Sequence, residues 1–591
     1  MKDLQRLLPY IIKYKKMIIG GFVLVTISNI CSTYVPRVVG LTIDLLGKDS
    51  VSQVEVLKNL LMIIGLTLAS GLFMFFTRKT IIVASRMIEY DLRRDFLDHV
   101  QKRKMSFFYE YSPGTLMAYA TNDITAAREF LGPAIMYTAN SVTTFIFVLF
   151  FMLNIDPLLT LLALLPLPLI TYFVHRLGKE IHKSFKAVQE QYAVLSSRSQ
   201  ETFSGIRVVK SHVREEYENE HFNILSKDYF EKNLRLARIQ SIMMPVLMVL
   251  VGVAQMLVLG YGGWKVMNGK SSLGDLTQFF IYINMLIWPV TAIGWITNVV
   301  QRASASMARL SVILDNVADD ELIINNEKLA KDTRDTSIAN HQLSIDFIDV
   351  SLKYKENSPT VLCKISFSIK KGESLGITGP VGSGKTTIIN LLPSLIETSG
   401  GNIMLDGKNI REIDKQQLRN MIAVVPQDQF LFSTTIKENI SFGNKSASNK
   451  DIEKAVWIAC LDEDIRAFPD NYDTMLGERG ITLSGGQKQR LAIARAIINN
   501  PSILILDDAL SAVDAGTEEK ILTRLQEFMK DRTTIIVSHR ISTIINCNNI
   551  IVLDKGEIIE SGTHNDLLAA KGKYEKIYSR QKLEEEINYQ F

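Results

Sequence analysis

The pattern of apolar and polar positions divides the chain near its middle. In the first half six long apolar runs, 17–46, 57–84, 132–153, 157–175, 239–266 and 276–300, come close to the length a membrane-spanning helix needs, about 20 mainly apolar residues. The connections after the second and fourth runs, 85–130 and 176–238, are long and dense in Lys and Arg, whereas the others are short and carry few basic residues. Basic loops stay on the cytoplasmic side, so this asymmetry predicts that both termini lie there. Met87, Leu92, Phe96 and Val100 recur at helical spacing, which predicts that the second span continues well beyond the membrane. Each long loop has a break at its far end, Ser112-Pro113-Gly114 in one and Ser204-Gly205-Ile206 in the other. Residues 1–16 mix Leu, Ile and Tyr with Lys and Arg and read as an amphipathic helix at the membrane surface. A cleavable leader is the rival reading, opposed by the lack of a small-residue cleavage site and by the apolar runs that follow.

The second half has a different rhythm. Residues 319–342 are polar and weakly periodic, a linker pattern. Beyond them, 343–354 alternates like an antiparallel strand, 373–378 reads as a strand and 385–396 as a helix. Ile422-Ala423-Val424-Val425, Ile503-Leu504-Ile505-Leu506 and 533–538 read as buried strands. The predicted fold is a membrane α-helical part, six spans with long cytoplasmic helical extensions, followed by an α/β domain. The predicted boundaries are 1–318, 319–342 and 343–591. Composition adds little: a mean hydropathy of +0.12 alongside 22% charged residues reflects the two unlike halves. The net charge of +4 is too small for a nucleic-acid footprint. Cys31, Cys363, Cys460 and Cys547 are far apart, without metal-type spacing.

Chemistry concentrates in the second half. Gly379-Pro380-Val381-Gly382-Ser383-Gly384-Lys385-Thr386 matches the G-x-x-x-x-G-K-[ST] phosphate loop in full, between a predicted strand and a predicted helix. Its glycines let backbone N–H groups close on phosphates, Lys385 reaches the terminal phosphates, and the Thr386 hydroxyl suits Mg²⁺. Ser484-Gly485-Gly486-Gln487 opens an Ala/Arg/Leu-rich helical pattern, where free N–H groups and the helix dipole favour an anion. The strand 503–506 delivers Asp507 and Asp508 to its C-terminal end, the edge where α/β sheets bind ligands.

These motifs, with Gln427, Ser511–Asp514 and His539, occur in the order and spacing of an ATP-binding-cassette ATPase domain, which the region 343–591 resembles. The membrane half resembles the exporters of that family. The resemblance implies ATP and Mg²⁺ as cofactors. It implies a nucleotide-binding set of Gly379, Gly382, Ser383, Gly384, Lys385, Thr386 and Thr387, with Tyr354 stacking on adenine. It assigns Mg²⁺ to Thr386, Gln427 and Asp507, and catalytic roles to Asp508, His539 and Gln427. It implies short coupling helices near 115–122 and 203–210, and likens 474–480 to a loop joining the ATP site to the membrane part. In the family two ATPase domains sandwich two nucleotides, each between one domain's phosphate loop and the other's LSGGQ, here Ser484, Gly485, Gly486 and Gln487 with Leu483.

One position departs from the family. The residue after the Mg²⁺-associated aspartate is usually glutamate, and here it is Asp508. Aspartate withdraws the carboxylate by roughly 1 Å, enough to cost on the order of 100-fold in rate. The combination resembles the weak-site subunit of bacterial heterodimeric multidrug exporters, and implies a second, different half-transporter that supplies a glutamate. Two other readings stay open: a homodimeric lipid or drug flippase in which Asp508 suffices, and an ATP-regulated membrane protein that pumps nothing. Met243, Met244, Met248, Met256, Phe279, Phe280, Tyr282, Met285, Trp288 and Trp295 suit a surface for varied apolar ligands, and equally helix packing or lipid contact. No acidic cluster stands out in the spans, which favours a lipophilic or amphipathic substrate.

Overall fold

The structure is a computed structural model that describes residues 3–48, 52–315, 343–355, 358–477 and 483–589. The predicted linker 319–342 and part of the 474–480 loop lie outside the described residues. The chain forms two compact units, one of Met1–Arg103 with Tyr111–Ala318 and one of Lys104–Glu110 with Asp319–Phe591.

The first unit is helical. Five helices among the described residues are long and apolar enough to cross a membrane: α1 (Lys15–Leu46), α2 (Gln53–Gln101), α3 (Pro113–Ile155), α6 (Glu215–Met267) and α7 (Leu273–Asp315). Between α3 and α6 lie α4 (Pro157–Leu164) and α5 (Leu167–Ser204). Only 6% of the most apolar window of α2 is buried by protein. Apolar surface left this bare is not covered by the core of this unit and suits a membrane environment. The predicted fourth span, 157–175, is divided between α4 and α5. Pro166 supplies no N–H for the helical hydrogen bond at that point, and the run is interrupted there although Leu165 keeps helical dihedral angles.

The extension of α2 is present. Leu92, Phe96 and Val100 are among its buried residues, while Met87 is exposed and the neighbouring Ile88 is buried instead. Two carboxylates on the same stretch, Asp91 buried and Asp95 partly exposed, hold the N-terminal segment: Tyr10 donates to Asp95 at 2.8 Å, and Lys13 and Tyr14 donate to Asp91 at 2.5 and 2.9 Å. That segment is a short 3-10 turn, Asp3–Leu7, and a helix, Leu8–Lys13, with Leu8 and Ile12 left exposed. The two loop breaks also occur. Ser112 caps α3, accepting from Thr115 N at 3.2 Å, and α5 ends at Ser204 before a six-residue helix, Ile206–Ser211. At the first tip the short helix is Met105–Glu110, ahead of the break, whereas 115–122 belongs to α3. Pro113 in the first turn and the Ser112 cap explain why the returning helix begins there.

The second unit is built on two sheets. A four-stranded antiparallel sheet has the order β2 (Leu362–Ile369), β1 (Ile345–Leu352), β4 (Gly400–Leu405), β5 (Lys408–Asn409). A six-stranded sheet runs β10 (Glu557–Gly562), β9 (Asn549–Asp554), β3 (Ser374–Thr378), β8 (Thr533–Val537), β7 (Ile503–Asp507), β6 (Ile422–Val425). All its pairings are parallel except β10 with β9. β7 and β8 are buried at every position, as strands covered on both faces must be, which is why they read as unbroken apolar runs. The register sets Asp507 opposite Val537, and Val537 opposite Ile377, so β3, β7 and β8 end at one level. Helix α8 (Lys385–Leu391) follows β3 and stops five residues short of the predicted end, close to Pro393.

Candidate nucleotide site

The phosphate loop leaves β3 at Thr378 and enters α8 at Lys385. Two of its glycines are required by geometry. Gly379 has φ +147°, and a Cβ there would lie 2.1 Å from the Leu553 carbonyl oxygen; Gly384 has φ +102°, and a Cβ there would lie 2.7 Å from the Leu362 side chain. Any larger residue would open the loop and turn its N–H groups away from a common centre. Lys385 is buried, and its Nζ donates to the carbonyl oxygens of Gly379 (3.0 Å) and Pro380 (2.9 Å). Burial lowers its pKa, and the nearby Asp507 and Asp508 oppose that shift. The Ser383 hydroxyl is buried with no hydrogen-bond partner among the described residues. A buried hydroxyl left unpaired is costly, and in a glycine-formed cradle beside a lysine it fits a phosphate oxygen.

At the end of β7, Asp507 is 2% exposed. Burial raises its pKa and the neighbouring Asp508 adds to this, while a hydrogen bond with Thr386 and the charge of Lys385 favour the ionised form. A buried carboxylate beside a threonine hydroxyl at the mouth of a phosphate loop is the oxygen donor set that Mg²⁺ takes. Asp508 follows in the left-handed region, φ +47°, with its N–H donating to Val537 O at 2.8 Å. His539 lies two residues past β8; burial chiefly, then Lys385, lowers its pKa and Asp508 opposes, so it is neutral at pH 7. Lys385, Asp507, Asp508 and His539 thus act on one another electrostatically, although they come from three separate segments.

Tyr354 sits two residues after β1, half exposed, with its hydroxyl 3.1 Å from Thr387 Oγ1. In the same unit the Tyr109 ring stands edge-on to it, centroids 6.2 Å apart. Gln427 lies exposed two residues beyond β6, and its carbonyl accepts from Gln429 at 2.8 Å.

The Ser484–Gln487 motif forms the start of α9 (Gly485–Ile497) through a reciprocal cap. Ser484 Oγ accepts from Gln487 N at 3.3 Å, and Gln487 Oε1 accepts from Ser484 N at 2.9 Å. Gln487 also donates to Asp464 at 2.7 Å, so both ends of its amide are engaged within its own chain. Sequence reasoning missed the residues that hold this motif. Arg490 bonds Asp464 (2.7 Å) and Cys460 O (2.6 Å), Gln489 bonds Ser511 (2.9 Å) and Ala512 (2.8 Å), and Arg495 bonds Asn439 and Phe430 O (2.8 Å). Arg540, next to His539, reaches Ser511 O at 3.1 Å and pairs with the buried Glu518. The available signal was polar residues among the small apolar positions of α9, although nothing local named their partners. Asp464→Ala removes the anchor of two of them and is expected to cost about 2 kcal/mol, read as a lowered Tm of the full-length protein.

Fold and site together define a phosphate-loop ATPase joined to a multi-pass helical membrane part. Comparison with known proteins carries this further. Residues 17–290 match the ABC transporter transmembrane region and residues 362–511 match the ABC transporter family. The chain is 36% identical over 569 residues, covering 95% of both chains, to a probable multidrug resistance ABC transporter ATP-binding/permease protein, YheI, of Bacillus subtilis (strain 168). It is 33% identical to the multidrug resistance-like ATP-binding protein MdlA of Escherichia coli (strain K12), covering 96% of this chain and 94% of that one. It is 32% identical to the ATP-dependent lipid A-core flippase of Desulfotalea psychrophila, covering 98% and 99%. A solved structure of a bacterial Atm1-family ABC exporter with ATP bound shares the fold, with TM-score 0.74, 24% identity and coverage of 96% and 99%. The chain belongs to the ABC transporter family and is an exporter half-transporter, an ATP-hydrolysing protein with its membrane and ATPase parts in one polypeptide.

Proposed function

We propose that the chain exports hydrophobic or amphipathic compounds, drugs or lipids, across the cytoplasmic membrane as one half of a heterodimer whose own phosphate loop forms a hydrolytically weak site. The observation that carries this reading is Asp508: an aspartate follows directly on the strand that ends in the Mg²⁺-type carboxylate Asp507, beside Lys385 and the neutral His539. The domains are 1–318, 319–342 and 343–591, and the membrane part has six spans, the fourth broken at Pro166. Both termini and the ATPase domain lie in the cytoplasm.

The residues divide the work. Gly379, Gly382, Ser383, Gly384, Lys385, Thr386 and Thr387 bind the nucleotide phosphates, and Tyr354 stacks on the base. Thr386, Asp507 and Gln427 hold Mg²⁺, which when bound spreads the charge that develops on the phosphate oxygens. Neutral His539 donates its N–H to the terminal phosphate, and Asp508 polarises the attacking water from too far back. Ser484, Gly485, Gly486 and Gln487 present the N-terminal end of α9 to the nucleotide of the second half. In support, the side-chain hydrogen bonds made by 484–490 run within 460–512 and reach no residue of the phosphate loop among those described. Val208 and Phe203, 61% and 74% exposed on and beside the Ile206–Ser211 helix, support docking of that tip on an ATPase domain. ATP binding closes the two ATPase domains and turns the cavity outward, and hydrolysis, mainly at the partner's glutamate, resets it.

The similarity to a lipid A-core flippase over nearly the whole chain favours a second reading, a homodimeric flippase in which Asp508 is the working carboxylate. Intact-mass analysis of the complex captured through a tag on this chain decides between them. A second half-transporter of different mass in one-to-one ratio is expected, and a complex of this chain alone would establish the homodimer. In inside-out vesicles the complex is expected to concentrate a lipophilic dye when given ATP. Binding of ATP without uptake of dye or lipid probe would sink the export reading.

A further inference from the structure

Helix α9 touches the loop that carries Asp508 through one side chain above all. Gln489 is 3% exposed, one turn into the helix. Its Nε2 donates to Ser511 Oγ at 2.9 Å and lies 3.5 Å from Asp508 O, while its Oε1 accepts from Ala512 N at 2.8 Å. The start of the helix presses on the same loop: a Cβ at Gly486 would lie 2.9 Å from Ala512 O, and one at Gly485 would lie 3.4 Å from Ala512 Cβ. From the other side Arg540 bonds Ser511 O (3.1 Å) and Val513 O (3.5 Å), with its charge met by Glu518, which also accepts from Thr543 at 2.9 Å. The loop 508–514 is therefore held between α9 and the segment that bears His539.

A buried amide with donor and acceptor both committed fixes register in a way that an apolar side chain of equal volume does not. Two bonds from one rigid group to adjacent residues define the angle of the loop to the helix as well as its distance. A shift of α9 therefore cannot leave Ser511 and Ala512 behind without stranding a buried N–H, and Asp508 lies three residues away on the same turn.

We propose that Gln489 is a positioning residue that ties the placement of Asp508 to whatever the Ser484 end of α9 holds. It makes this ATPase domain transmit nucleotide occupancy at the site its Ser484 end faces to the carboxylate of its own site. The inference rests on the reading that the Ser484 end faces the second nucleotide of the assembly. It holds for a homodimer or a heterodimer, and for any exported substrate.

The test is amide hydrogen exchange in the full assembled transporter, with and without Mg-ATP, alongside ATP turnover. In the wild type, ATP is expected to slow exchange in 508–514 by about tenfold. In Gln489→Leu that slowing is lost while 379–390 still responds to ATP, and single-turnover hydrolysis at the Asp508 site, read with any partner glutamate disabled, falls by on the order of 100-fold, as a displacement near 1 Å would cause. Ser511→Ala, which keeps the Ala512 bond, gives intermediate values for both and guards against a folding defect in the leucine variant. The proposal is overturned if 508–514 responds to ATP in Gln489→Leu as in the wild type. It is also overturned if 379–390 loses its response in parallel in both variants, since Gln489 would then serve the fold at large. Failure of the export reading shows elsewhere, as absent dye uptake with these exchange responses intact.

Discussion

Asp508→Glu is expected to raise ATP turnover at this chain's phosphate loop by on the order of 100-fold in the assembled transporter. The backbone already directs residue 508 to the end of β7, next to the buried Asp507 and within the fields of Lys385 and His539. What is lacking is one methylene of reach, and general-base efficiency depends on that distance before it depends on pKa. The exchange has a modest cost: residue 508 has φ +47°, where aspartate is more at ease than glutamate. A penalty of about 1 kcal/mol would lower Tm slightly without reducing the gain in rate. Single-turnover hydrolysis with the partner's carboxylate disabled reads the effect at this site. If the rate did not rise, side-chain length would not be what limits the site and the weak-site reading would fall.

The opposite result, of larger size, is expected for Asp507→Asn. The asparagine keeps the shape of a residue that is 2% exposed and keeps a hydrogen-bonding oxygen near Thr386, but removes the buried negative charge placed to hold a divalent cation between strand and phosphate loop. Loss of several kcal/mol of metal-assisted charge stabilisation corresponds to about 1,000-fold in Mg²⁺-dependent turnover. ATP binding in the presence of EDTA should survive, because Lys385 and the loop N–H groups remain. Burial and Asp508 also raise the Asp507 pKa, so wild-type Mg²⁺ dependence should fade at a higher pH than an ordinary carboxylate requires, as the raised group takes up its proton. Turnover at this chain's own site in Asp507→Asn, read with the partner's carboxylate disabled, within tenfold of the wild type would remove Asp507 from the metal site.

The two expectations treat neighbouring carboxylates differently because their surroundings differ. Asp507 ends a strand buried at all five positions, so its charge has a strong local effect and must be matched. Asp508 is the first residue of a turn, held by its own N–H to Val537 O and through the loop by Gln489 and Arg540. Its position is therefore adjustable from two directions, whereas that of Asp507 is fixed by the sheet.

Much of this was legible in the chain. The unbroken run Ile503–Leu506 specified a strand buried on both faces, because only apolar side chains tolerate that burial, and Asp507 followed at its end as a consequence of connectivity. The phosphate loop was legible for a similar reason: glycines at fixed offsets are demanded by local backbone geometry, and φ of +147° and +102° at Gly379 and Gly384 bear this out. Helical spacing gave the extension of α2, but one residue off at Met87, since a periodic pattern specifies a face only to within a neighbouring position.

What the sequence by itself determined, then, were the features written in local terms: apolar length, period, and motifs in which neighbouring residues act together. Tertiary structure alone decided the features that depend on residues far apart in the chain. Pro166 could be seen as a proline, but that it divides the fourth apolar run depended on how α4 and α5 settle. Ser383 could be assigned to the loop, but its unpaired buried hydroxyl emerges only once its surroundings are packed. Gln489 and Arg540, 51 residues apart, meet on Ser511, and no sequence period encodes that meeting. A hydrogen bond between distant segments leaves no trace in either segment alone, because each residue is compatible with solvent until the fold removes the water.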